Sequence, residues 1–304
     1  MSENNKQQSN DLDRRELLKG LATVPVFGLF LSQLWRKIRR DTLKKSNILS
    51  GLVQEKSAPA IIKGLSDSKH LNIGIIGYGG RGGHLVRGAG FATTGWTTTV
   101  AENARKNKLD KQFKTFMDQE DLNCSLVGVC DLFDVRAEQG LDASQNEVRP
   151  GGKPKKTATR YRHYKDLLAN DDIDAVIIAT PDHWHSRITI DAAKAGKHVY
   201  CEKGLTRTFE ETIKVYDVVK ETGITFQLGH QNRQVEANEK AKQIVQQGLL
   251  GTINLVELTT NRNSPWGAWV WGIHPEGNAQ TIDWDTFQEP APNKIPFGEE
   301  ALKR

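Results

Sequence analysis

The chain has 304 residues, 37% hydrophobic and 26% charged, a globular composition with room for roughly two domains. Its formal charge of +5 would suit a nucleic-acid binder only if it were spread over a binding face. Ten basic residues (Lys6, Arg14, Arg15, Lys19, Arg36, Lys37, Arg39, Arg40, Lys44, Lys45) stand against five acids within positions 1–45, and the remainder is neutral overall, so the excess belongs to a leader and nucleic acid is not an expected partner.

The leader comes first. After a polar start, Arg14-Arg15 precedes Leu17-Leu18-Lys19-Gly20 and an apolar run from Leu21 to Trp35. A paired arginine before a moderately hydrophobic core is similar to a twin-arginine export signal, which implies a periplasmic protein secreted already folded. The apolar run is shorter than the ~20 residues that cross a bilayer. No small-x-small site closes it, and the nearest fit, Ala58-Pro59-Ala60, lies far downstream. Membrane association through an uncleaved leader is therefore the alternative. Residues 1–40 are read as the leader and 41–70 as a linker.

The next segment carries a dinucleotide fingerprint. Leu71-Asn72-Ile73-Gly74-Ile75-Ile76 reads as a strand, and Gly77-Tyr78-Gly79-Gly80-Arg81-Gly82 follows it without a gap, before a helix from about Arg81. Such glycines permit the tight turn, let backbone approach a pyrophosphate, and allow close helix–strand packing. The phosphates then meet unpaired helix N-terminal amides. A second strand, Ser125–Cys130, ends at Asp131, an acid placed to accept from an adenosine ribose and to repel a 2′-phosphate, so NAD is expected over NADP. Gly82 and Asp131 are 49 positions apart where about 20 is usual. The surplus, 88–123, is read as an insertion in which Leu109, Phe113, Phe116 and Met117 share a helical face; it either caps the cofactor or decorates the surface.

Three further strands follow: Asp174–Ala179 before Thr180-Pro181-Asp182-His183-Trp184-His185, Lys197–Cys201 before Glu202-Lys203-Gly204, and Ile224–Leu228 before Gly229-His230. Open parallel sheets bind ligands beyond the carboxyl ends of their strands, and each of these delivers polar, titratable side chains to that edge. His183 and His185 lack a third clustered ligand, so no metal is expected. Cys124, Cys130 and Cys201 show no CxxC spacing and read as buried free thiols.

Together the glycine loop, the run Ala179–His185 and Gly196-Lys197-His198-Val199-Tyr200-Cys201-Glu202-Lys203 resemble the Gfo/Idh/MocA oxidoreductases, the family of glucose–fructose oxidoreductase and inositol dehydrogenase. The resemblance runs from about Leu71 to the last residue. It implies a doubly wound Rossmann domain over 71–230, then an α/β domain with a large open sheet starting within 231–304. By match with the family's Glu-Lys-Pro motif, it makes Lys203 the catalytic candidate, polarising a carbinol hydroxyl as hydride leaves for the nicotinamide. Gly77, Tyr78, Gly79, Gly80, Arg81, Gly82, Asp131, Thr180, Pro181, His185 and Glu202 become cofactor candidates. His183, Trp184 and His230 are grouped on the substrate side. Gly204 replaces the family's usual proline and restrains the backbone less.

The implied activity is an NAD-dependent oxidoreductase acting on a sugar, polyol or related carbohydrate. The alternatives are an NAD-dependent glycosidase working by transient oxidation and elimination, and an inactive cofactor-binding remnant or structural subunit. The last is raised by the end of the chain. Gly251–Leu258 reads as the first strand of the second domain, followed by tryptophans around 264–271 and a proline-rich tail, and one or two strands cannot bury a sheet face. The chain therefore reads as truncated, and an intact-length form is expected to be a homo-oligomer.

Overall fold

A computed structural model of the protein describes residues 33–39, 41–42, 70–145, 157–233, 235–259 and 272–303. The paired arginines, most of the leader's apolar run and the tryptophans at 266–271 lie outside them. The chain divides into two compact units, Ile62–Arg233 with Leu258–Arg304, and Met1–Ile61 with Gln234–Glu257.

The larger unit is the Rossmann domain. Its strands are β1 (Leu71–Ile76), β2 (Cys124–Cys130), β3 (Thr159–Tyr161), β4 (Ala175–Ile178), β5 (His198–Glu202) and β6 (Phe226–Gly229). They form one parallel sheet in the order β3-β2-β1-β4-β5-β6. That order is the doubly wound one, with its topological switch between β1 and β4. The connecting helices are α1 (Gly80–Gly88), α2 (Thr94–Lys106), α3 (Gln112–Met117), α4 (Asp134–Ser144), α5 (Tyr164–Leu168), α6 (Asp182–Lys194) and α7 (Phe209–Thr222). Strands covered on both faces must be apolar throughout, which explains why β2 and β4 could be read as continuous hydrophobic runs. On one face Ile76, Val127, Leu167, Ile173, Ile178, Ile188 and Cys201 form the core, and on the other Ile75, Tyr78, Val86, Leu126 and Val129. β3 was not foreseen; three residues, none fully buried, carry no alternating pattern.

The insertion differs from expectation. Its longer helix is α2, capped by Thr93, whose side chain accepts from Trp96 N. The stretch read as one helical face breaks before α3: Leu109 is 85% exposed, while Phe116 is buried edge-on to Trp96. The insertion contributes no wall to the cavity described below.

The smaller unit contains α8 (Glu236–Gln246), with ion pairs Lys240–Glu236 and Lys242–Glu239 along its surface. The strand expected at Gly251–Leu258 does not form; those residues are irregular and exposed. The tail beyond 272 does not continue a second sheet. Asp134 N donates to Thr281 O and Asp283 N to Leu132 O, both at 2.9 Å, around an antiparallel bridge between Phe133 and Ile282. The tail thus pairs with the backbone just after β2, and bears the short helices α9 (Trp284–Phe287) and α10 (Glu299–Lys303).

One core contact makes the sheet's tolerance testable. Leu167 is fully buried and fills a groove left by Gly74 on β1 and Gly128 on β2, where an added Cβ would stand 2.9 and 3.3 Å from its methyl groups. Leu167→Ala removes the occupant of a groove that rigid strands cannot collapse into, and is expected to cost about 3–5 kcal/mol in urea unfolding.

Candidate functional site

The glycine loop turns sharply out of β1. Gly77 has φ +89° and its N–H donates to Cys130 O at 2.8 Å. A Cβ on Gly82 would stand 2.0 Å from Gly77 O, so helix and loop meet at a distance no side chain allows. Gly79 caps α1 with no side-chain bond, and nothing lies within 4 Å of where Cβ atoms on Gly79 or Gly80 would stand. The amides opening α1 therefore face free space, as an anion site requires. His84, one turn on, is held below the ordinary imidazole value by burial first and then by the Arg81 and Arg87 charges.

Asp131 closes the opposite side. Its Oδ2 accepts from Tyr78 N at 2.6 Å and its Oδ1 from Phe133 N at 2.9 Å. Burial pushes its pKa up, only partly offset by those amides and by Arg136 and Arg160. The Tyr78 ring itself is core, 4% exposed, and burial raises its hydroxyl to about 12. Only its backbone belongs to the site.

The loop, Asp131 and the end of β4 enclose a cavity of about 890 Å³. Of the residues singled out from the sequence, Gly77, Gly79, Gly80, Arg81, Asp131, Thr180, Pro181, His183 and Trp184 line it. The Thr180 hydroxyl is buried there without a hydrogen-bond partner. Tyr78, Gly82, His185, Glu202, Lys203 and His230 are not in its wall. Sequence reading missed Phe133, Arg136, His163 and Tyr164, and the tail residues Ile282, Trp284, Thr286 and Phe287. Only one signal pointed to the tail: Asp283, a helix-capping residue before two aromatics three positions apart.

Residues beyond the wall hold the edge in shape. Glu202, 4% exposed at the end of β5, accepts from Arg81 Nε at 2.7 Å and from the Tyr200 hydroxyl at 3.3 Å. His185, 1% exposed, places Nε2 2.7 Å from Thr180 O and Nδ1 3.1 Å from Gly204 O. A neutral ring donates to one of these carbonyls and a protonated ring to both; in either form the ring spans the ends of β4 and β5. Lys203 and His230 are exposed at the ends of β5 and β6, Lys203 with its amide 3.3 Å from Glu202 Oε2. Trp184 is 3% exposed, donates from Nε1 to Phe287 O at 3.1 Å, and packs edge-on against Tyr164. His183 Nε2 meets the same carbonyl at 3.1 Å.

Comparison with known proteins agrees with this geometry. Residues 71–230 match the Gfo/Idh/MocA model, described as an oxidoreductase family with an NAD-binding Rossmann fold. The chain belongs to that family. It is 41% identical over 90 residues to levoglucosan dehydrogenase from Pseudarthrobacter phenanthrenivorans, covering 30% of this chain and 23% of that one. It is 35% identical over 97 residues to a glycosyl hydrolase family 109 protein of Shewanella baltica, covering 32% and 21%. Among solved structures, myo-inositol 2-dehydrogenase from Lactobacillus plantarum is 27% identical with a TM-score of 0.43, covering 61% of this chain and 43% of that one. The chain spans less than a third of the length of these curated relatives.

Gly204 explains a departure from the family pattern. Its φ is +80°, and an added Cβ would lie 2.6 Å from the Asp182 carboxyl carbon. Proline is locked near −65° and cannot adopt that angle, so the usual residue is unavailable to this turn. Gly204→Ala is expected to cost about 1–3 kcal/mol, read as a lowered urea midpoint, and Gly204→Pro to cost more.

Proposed function

We propose that the protein is an NAD-dependent oxidoreductase acting on a sugar, polyol or related carbohydrate carbon, carried by one observation: the glycine loop, Asp131 and the β4 end converge on a single cavity at the switch point of the sheet. The residues present fit the dinucleotide. Uncapped amides of α1 and the Arg81 guanidinium suit its pyrophosphate, and Asp131 suits the two hydroxyls of an unphosphorylated ribose. When bound, the cofactor supplies the hydride acceptor. Lys203 holds the substrate hydroxyl and eases loss of its proton; Glu202, neutralised by Arg81, fixes the strand end from which Lys203 projects. His185 acts through others, fixing the Thr180 and Gly204 carbonyls.

A glycosidase that oxidises transiently and eliminates is the second reading, supported by the similarity to the Shewanella protein. Net NADH formation separates the two, since transient oxidation leaves none. Calorimetric titration is expected to show binding of NAD, and weaker binding of NADP. Lys203→Met is expected to leave the NAD affinity within about twofold while lowering turnover by about 10²–10⁴. Absence of NAD binding, with no nucleotide released on denaturation, refutes the reading; unchanged turnover in Lys203→Met refutes only the role of the lysine.

Arg14-Arg15 before the apolar run supports export by the twin-arginine route to the periplasm. Replacing both arginines by lysine is expected to retain the protein in the cytoplasm on fractionation. The same fractionation tells a soluble periplasmic protein from one held at the membrane by its leader.

A further inference from the structure

The cavity has two kinds of wall. One is made by the ends of β1, β2 and β4 and the starts of α1, α4, α5 and α6; the other is the tail, through Ile282, Trp284, Thr286, Phe287, Ala301 and Leu302. None of its lining residues comes from β5 or β6. In the order β3-β2-β1-β4-β5-β6 the cavity therefore spans the switch point and lies over the β2–β1–β4 half of the edge, with Asp131 at its β2 end.

The tail is fixed to this half at two places. Backbone bonds join Thr281 and Asp283 to Asp134 and Leu132, directly after Asp131. At the start of α6, His183 and Trp184 both reach Phe287 O, and Arg187 Nη2 donates to Glu289 Oε1 at 2.6 Å. Between the two anchorages Trp284 and Phe287 stack with centroids 5.0 Å apart and planes within 10°, and Trp284 Nε1 donates to Ile295 O at 2.9 Å. An aromatic pair is thus presented to the cavity on a braced segment.

We propose that this tail segment is part of the cofactor site and forms the wall against which the adenine ring lies. The inference rests on the dinucleotide reading above and adds to it residues outside the sheet. A purine has flat apolar faces and is bound by aromatic rings through stacking. The braced pair adds a stacked aromatic surface beside Phe133 on the Asp131 side of the cavity, on the segment whose backbone pairs directly after the acid that suits the adenosine ribose. His183 and Trp184, grouped with the substrate from sequence, are assigned here to holding that wall.

Calorimetry on the full chain tests this with ADP-ribose and nicotinamide mononucleotide as probes. Trp284→Leu, which keeps apolar bulk, is expected to weaken ADP-ribose by about five- to a hundredfold and to leave the mononucleotide within twofold, while Trp284→Phe restores most of the loss. A second measurement needs no variant. ADP-ribose is expected to slow hydrogen exchange of the Asp283 and Asp134 amides, and the mononucleotide not to. Equal ADP-ribose affinity in wild type and Trp284→Leu, or protection of the glycine loop with none of the tail, overturns the proposal and leaves the NAD reading standing. A wild-type chain that binds neither NAD nor ADP-ribose overturns both.

Discussion

The Asp131 carboxylate holds two backbone amides, one from the glycine loop and one from its own turn, and much of the site depends on that arrangement. An amide buried without an acceptor costs as much as a lost hydrogen bond, so the loop and the end of β2 are fixed to each other before any ligand arrives. The cost appears at the carboxyl, where burial wins over the amides and raises the pKa. Further donors on the same oxygens would favour the charged form. Ribose hydroxyls are such donors, so a nucleotide would relieve the penalty that folding leaves there. The tail pairs with the next three residues of the chain, Leu132 to Asp134, and its placement is inherited from the same turn.

Across the switch point a second set of ties does comparable work. The Arg81–Glu202 pair runs from α1 to the end of β5, and His185 links the ends of β4 and β5. The pair is asymmetric. Arg81 reaches solvent and Glu202 does not, so the buried carboxylate depends on its partner far more than the guanidinium does. Glu202 is thus legible in the sequence as a site residue but acts one step back: it neither lines the cavity nor meets solvent, and it fixes the strand end that carries Lys203.

How much was legible follows from how each feature is encoded. β2 and β4 are largely apolar because both faces are covered, β1 and β5 are apolar over their inner residues, and the ends of all four came out within a residue or two. The loop was readable because only glycine fits the contacts at Gly77 and Gly82. Three-residue β3 has no period to read. Leu109 matched a helical face by spacing, yet the chain turns there, and spacing alone cannot report a turn. The larger omission was the tail. Its hold on the domain uses backbone pairing, donors onto one carbonyl, Phe287 O, and a single ion pair, Arg187–Glu289, and none of these leaves a pattern in side-chain order. His185 was read toward the cofactor and His183 and Trp184 toward the substrate, all three as residues of the site. The structure separates them by depth and by partner, which sequence does not carry.

That separation bears on how the two halves of the edge divide their labour. On the β1–β2–β4 side, apolar and aromatic side chains surround the loop, and two sets of hydrogen bonds hold the covering segment down. On the β5–β6 side, Lys203 and His230 stand exposed at the strand ends. A cofactor common to a whole family needs the same enclosure whatever the substrate, and enclosure is what a braced wall provides. A carbohydrate must be told apart by its hydroxyls, which takes polar groups presented to it from several directions. Lys203 and His230, with Gln231, Asn232 and Arg233 directly beyond β6, are exposed polar residues of that edge. On the proposed reading, recognition of the nucleotide is built into the Rossmann unit and its tail, and discrimination among carbohydrates falls to the polar groups at the β5–β6 edge.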